Sequence, residues 1–189
     1  MLPVVLVGAG LAVAYMGMSG PSNQTTVKSS IDGSEHKVQN LPDKQDAADV
    51  MCKVKKNLSK LIDHYKGDAN TMADSRVKVM IERFHPDRIS ENDITASSTS
   101  YSENKGDKIV ICMRDKVAPY KIMDDNTVMY VVLHEMAHLM TMTIGHTPEF
   151  WANFRRLLLD GAGIGIYTPV NYTKYPAAYC GMKITDNLV

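Results

Sequence analysis

The stretch Val128-Met129-Tyr130-Val131-Val132-Leu133-His134-Glu135-Met136-Ala137-His138-Leu139-Met140 decides how this chain is read. It is apolar nearly all round, broken only by two histidines four apart and the glutamate beside the first. Its β-branched residues would also suit a buried strand, so periodicity alone leaves the choice open. Length favours a helix over 126–143, with Asp125, Asn126 or Thr127 able to cap its start and Gly145 able to end it in a left-handed turn. On a helix, side chains four apart stack on one face, so His134 and His138 can present two imidazoles to one cation. Glu135 is offset from both and is left available as a proton acceptor. The bland alternative is a core helix with two incidentally stacked histidines, but two unpaired buried imidazoles and a carboxylate would be costly.

The pattern is HExxH, which on a helix signals zinc-dependent peptide hydrolysis. Zinc in a catalytic site takes three protein ligands and keeps one position open. His146 is the expected third ligand, because the Gly145 turn can bring the chain back. Thr147 can then cap a new helix with Pro148 at its first position, and Phe150, Phe154, Leu157 and Leu158 recur at helical spacing. Glu149 is the competing ligand, although a carboxylate in a first turn also answers the helix dipole.

Beyond the motif, the chain over 46–159 resembles the WLM family of small zinc metallopeptidases and, more distantly, SprT/Spartan and minigluzincin-like domains. The resemblance rests on Val79-Met80-Ile81-Glu82-Arg83-Phe84-His85-Pro86, on Asn104-Lys105-Gly106-Asp107-Lys108-Ile109-Val110-Ile111-Cys112-Met113-Arg114, on the HEMAH segment and on His146-Thr147-Pro148-Glu149-Phe150. The spacing from His138 to His146 is longer than the usual WLM pattern, and His146-Thr147-Pro148-Glu149-Phe150-Trp151 is closer to the minigluzincin-like form. What the resemblance implies is an α+β zincin-like domain with an opening helix, a short antiparallel sheet or hairpin, the HExxH helix and a following helix. It implies one Zn²⁺ on His134, His138 and His146, with Glu135 as general base. Relatives of this kind also occur in large double-stranded DNA viruses, and some cellular ones degrade proteins crosslinked to DNA.

Charge argues against the last property here. Lys+Arg and Asp+Glu are 21 each, so there is no electrostatic footprint for nucleic acid. The densest basic cluster, Lys53-Val54-Lys55-Lys56, lies on an amphipathic stretch and reads as a solvated face. Cys52, Cys112 and Cys180 form no CxxC pair and are expected to be small buried thiols.

Residues 2–18 carry no charged side chain, and as a helix they would span about 26 Å, near the lower limit for crossing a bilayer. The expectation is a single-pass membrane anchor over 1–20 or, without a basic n-region, less readily a cleaved signal peptide. Lys28 and Lys37 follow the segment, which with unpaired cysteines favours a cytosolic catalytic domain, in a cellular or virion membrane. Sequons at Asn23, Asn57 and Asn171 would matter only on the lumenal side.

Residues 21–44, rich in Ser, Asn, Gln and Thr, are expected to be a flexible linker, and 45–189 the metallopeptidase domain. Val50, Met51, Val54, Leu58, Leu61, Ile62 and Tyr65 have helical spacing, closed by Gly67. Residues 76–84 fit either period and are assigned to a strand on the resemblance. Strands at 99–102 and 108–113 flank the hairpin turn Glu103-Asn104-Lys105-Gly106, with 108–113 expected at the sheet edge, where an extended substrate would pair. Tyr167, Tyr172, Tyr175 and Tyr179 in the tail are expected to cover core, and His36, His64 and His85 to be surface residues. The expected activity is hydrolysis of a protein or peptide substrate by a metal-activated water. Its rivals are a protease of DNA-bound proteins and a non-catalytic, zinc-stabilised interaction or virion module.

Overall fold

A computed structural model describes residues 23–189. In chain order the elements are β1 (Gln24–Lys28), β2 (Glu35–Gln39), α1 (Lys44–Lys66), α2 (Ala69–Ala73), α3 (Ser75–Arg83), a 3₁₀ turn at Pro86–Arg88, and β3 (Ile89–Glu91). There follow β4 (Tyr101–Glu103), β5 (Lys108–Ile111), α4 (Asp125–Met140), α5 (Pro148–Gly163), β6 (Ala177–Tyr179) and β7 (Met182–Ile184). The fold is α+β, as expected.

The quoted stretch is α4, and it is the central element. It packs against α1, α3 and α5 and against β4 and β5, which is why it could afford no polar face. Asp124 caps it by accepting from Thr127 N at 2.9 Å. The apolar residues of α1 singled out by spacing are all buried.

Residues 76–84 are helix, not strand. Val77, Met80 and Phe84 are buried, the three-and-four spacing of a helix face, and Asp74 caps the turn by accepting from Arg76 N. The alternation of Val77, Val79 and Ile81 that suggested a strand lost to that cap and to packing on α4.

The sheet order is β3-β5-β4, with β3 parallel and β4 antiparallel to β5. The hairpin at 103–106 forms as expected, but β5 is central, with β3 and β4 at the two edges. β3 is too short to leave a mark in the sequence. At the hairpin turn Gly106 adopts φ +122, and a Cβ there would lie 2.6 Å from the Arg83 carbonyl oxygen.

Residues 24–39 of the linker expected over 21–44 instead form the β1–β2 hairpin, registered from Gln24↔Gln39 to Lys28↔Glu35 and packed on α1. Its polar composition is compatible with folding because few of its side chains turn inward. Gln39 N donates to Glu91 Oε2 at 2.6 Å, and Arg114 Nε donates to Glu91 Oε1 at 2.8 Å.

Two further expectations are corrected. Cys112 and Cys180 are joined in a disulfide that ties the β6–β7 hairpin to the end of β5, and only Cys52 is a free thiol. The membrane localisation is also set aside: no helix of the described residues is long and apolar enough to cross a membrane, α1 being strongly charged and α4 a core element of the domain. Segment 2–18, on which that localisation rested, lies outside the described residues. Tyr167, Tyr172 and Tyr179 are buried, and the first two close over Tyr130 of α4, so these parts of the tail do cover core. Tyr175 is exposed.

Candidate metal centre

His134 and His138 stack one turn apart on α4, with ring centroids 5.0 Å apart. The chain leaves α4 at Thr141, turns through Gly145 at φ +85 and brings His146 back over them. His146 Nε2 lies 3.0 Å from His134 Nε2, and its ring centroid is 4.9 Å from those of both other histidines. One nitrogen from each of the three rings lies within 4.8 Å of the others.

Two side chains from different elements hold the returning loop. Lys105, in the β4–β5 turn, donates from Nζ to the carbonyls of Thr141, Met142 and Thr143 at 2.6, 2.7 and 2.9 Å. This places a cation against the carbonyl-rich end of α4. From the other side Glu149 accepts from Met142 N at 3.1 Å and from Thr143 N and Oγ1 at 3.3 and 2.9 Å. Glu149 is therefore committed to the loop, and the structure does not bring it into the histidine cluster. Thr147 caps α5 and Pro148 opens it, as its sequence suggested.

Phe150 forms the floor. Its ring centroid is 4.8, 4.4 and 4.6 Å from those of His134, His138 and His146, so one buried ring sets the tilt of all three. Its helical spacing marked it as core; nothing in the sequence marked it as the surface on which the imidazoles rest.

Burial keeps these imidazoles neutral. It pulls His134 well below the ordinary histidine value, with the like charges of His138 and His146 adding to the effect. His138 is lowered to about 4 by burial, then by His146 and Lys105, and His146 is lowered by burial. Neutral imidazole is the form that binds a metal. Two ring nitrogens facing each other at 3.0 Å need a proton or a cation between them, so this donor set fits a divalent ion of zinc's preference.

Glu135 lies buried next to this cluster. Burial raises its carboxyl to about 8, opposed by a hydrogen bond with the side chain of Ser102 on β4. Oε2 of Glu135 has no hydrogen-bond partner. Tyr179 is the tail tyrosine within electrostatic reach of Glu135, and its hydroxyl bonds Ser100. His64 and His85 are exposed as expected, whereas His36 is buried, contrary to expectation. The loop anchor Lys105 and the Glu135 partner Ser102 went unnoticed because each acts across a sheet-to-helix contact that no local pattern encodes.

No family model matches the chain. It is 32% identical over 190 residues to the uncharacterized protein R325 of Acanthamoeba polyphaga mimivirus, covering 98% of this chain and 94% of that protein. It is 42% identical over 78 residues to the uncharacterized protein 042R of Invertebrate iridescent virus 3, covering 40% of this chain and 46% of that protein. Among solved structures, Wss1 from Saccharomyces cerevisiae superposes with a TM-score of 0.49 at 17% identity, covering 68% of this chain and 86% of that chain.

Proposed function

We propose, for a chain that belongs to the family of the mimivirus protein R325, a zinc-dependent peptidase function centred on His134, His138, His146 and Glu135. One observation carries the reading: three imidazoles converge beside a buried carboxyl that has one oxygen without a hydrogen-bond partner. A purely structural site would have no use for that carboxyl. Zinc held by these histidines would activate a water and polarise the scissile carbonyl. With a cation beside it favouring the ionised carboxylate, Glu135 would accept the proton of the attacking water and return it to the leaving amine.

The substrate seat follows from the sheet. Among the described residues β4 has a strand partner only on its β5 side, and Ser102 of this edge strand bonds Glu135. An extended peptide pairing with the outer edge of β4 by its main chain would therefore lie alongside the base. Main-chain pairing favours protein substrates in extended form without fixing a cleavage sequence.

The test compares wild type with Glu135→Gln in a casein digest, with metal content measured on both. Loss of proteolysis with one equivalent of zinc retained at the histidines supports the enzyme. Equal digestion by the two proteins would leave only a structural metal.

A further inference from the structure

A second convergence of metal-ligating side chains lies away from α4. Asp32 in the β1–β2 turn, His36 on β2 and Cys52 on α1 offer a carboxylate oxygen, a ring nitrogen and a sulfur within 4.8 Å of one another. His36 and Cys52 are buried, and Cys52 is the one free thiol of the described residues.

The three groups point at one atom. The Ser34 hydroxyl donates to Asp32 Oδ1 at 2.5 Å and lies 2.8 Å from His36 Nε2 and 3.8 Å from Cys52 Sγ. A hydroxyl has one proton and two lone pairs, so Ser34 can donate to only one of these neighbours and meets the others only where they carry a proton toward it. The buried His36 Nδ1 has no hydrogen-bond partner, so nothing on that side of the ring fixes its tautomer. With the proton on Nδ1, Nε2 presents its lone pair to the centre.

We propose that Asp32, His36 and Cys52 form a second divalent-metal site, a zinc clasp fastening the β1–β2 hairpin to α1. Thiolate, imidazole and carboxylate together are the donors zinc prefers over magnesium or calcium. Ser34 is exposed and vacates the centre by rotating its side chain. Lys56 holds Asp32 Oδ2 at 3.0 Å, and Oδ1, which accepts from Ser34 N at 2.9 Å, has a second lone pair for the ion once the hydroxyl turns away. Binding releases the Cys52 thiol proton. Asp32, Ser34, His36 and Cys52 help to line a cavity of about 470 Å³, which leaves room for a water as fourth ligand.

Cobalt distinguishes the two sites, because only this one contains sulfur. The metal-free full chain, with its disulfide kept oxidised, is titrated with Co²⁺ alone and followed by absorption. The expected result is two equivalents bound and a near-ultraviolet thiolate-to-cobalt band. That band should be lost in Cys52→Ala and retained in His138→Ala. Asp32→Asn, an exposed change that spares the core, should weaken the thiolate-linked equivalent by at least about tenfold. A wild-type chain with no thiolate band, or a band that survives Cys52→Ala, overturns the clasp. Neither outcome bears on the three-histidine site, whose loading is read separately from the bands lost in His138→Ala.

Discussion

Replacing Glu135 with Gln should make the metal-free protein more stable, and the size of the gain follows from burial. In the folded chain the carboxyl titrates near 8, against an ordinary value of 4.5. Between those two values the native state holds a proton that the unfolded state has released. Stability therefore falls as pH rises through this window. At pH 7 the cost of keeping the group neutral is ~3 kcal/mol; at pH 5 it is under about 1 kcal/mol, and above pH 8 it levels off near ~5 kcal/mol. Gln keeps the shape and carries no charge, so the variant escapes the cost.

The assay is urea unfolding of both proteins after metal removal, at pH 5 and pH 7, with equal denaturant slopes as the check that the unfolded states match. A stability difference that does not change between the two pH values would refute the reasoning, as would a Gln variant less stable than wild type at pH 7. With metal restored, the same substitution should lower the rate of peptide hydrolysis by about 10²–10⁴-fold, the usual contribution of a positioned general base.

Lys105→Met removes the three contacts to the carbonyls of Thr141, Met142 and Thr143, and should weaken metal affinity by about 10–100-fold in competition with a chelator. Undiminished affinity would mean the loop holds His146 without it. Phe150→Ala empties the fully buried floor beneath all three imidazoles and should cost about 3–5 kcal/mol in denaturant unfolding, whereas a loss below about 1 kcal/mol would show that the rings rest on something else. His138, lowered to about 4 in the folded chain, leaves the unfolded state binding more protons below its ordinary 6.5. The metal-free protein should accordingly lose up to ~3 kcal/mol through this group as pH falls from about 6.5 to 4, and His138→Gln should flatten that acid limb. An unaltered limb in the variant would place the acid sensitivity elsewhere.

What could be read from the residues alone is what depends on close spacing along the chain. The stacking of His134 on His138, the Gly145 turn, the Thr147 cap and the buried stripe of α5 each involve residues within a few positions of one another. The β4–β5 turn was legible for the same reason. The misreadings share a different physics. At 76–84 both periods fit, and the helix was selected by α4, fifty residues downstream. The β1–β2 hairpin looked like a tether because its stability comes from α1 and from Gln39 reaching Glu91, not from apolar residues of its own. The cysteine count was odd, which rules out complete pairing but still allows one bridge with one thiol left over, the arrangement that Cys112, Cys180 and Cys52 adopt. β5 was placed at the edge because β3 has only three residues and no periodicity to display.

The two convergences of ligating groups differ in what holds them, and this difference separates their roles. At the histidine cluster the geometry is set before any ion arrives: α4 fixes two rings, Lys105 and Glu149 pin the loop from opposite sides, and Phe150 sets the tilts. The fold bears one buried and two half-buried neutral imidazoles and a buried carboxyl with an unpartnered oxygen, a combination that costs stability and has value only where a charge is to be handled. At Asp32, His36 and Cys52 the ligands come from two elements joined through an exposed turn, and one serine hydroxyl stands between them. An ion at the first place gains little for the fold, since the frame is already closed; an ion at the second couples its binding energy to the docking of the hairpin. Loading the histidines should thus be felt mainly in catalysis, and loading the hairpin mainly in unfolding.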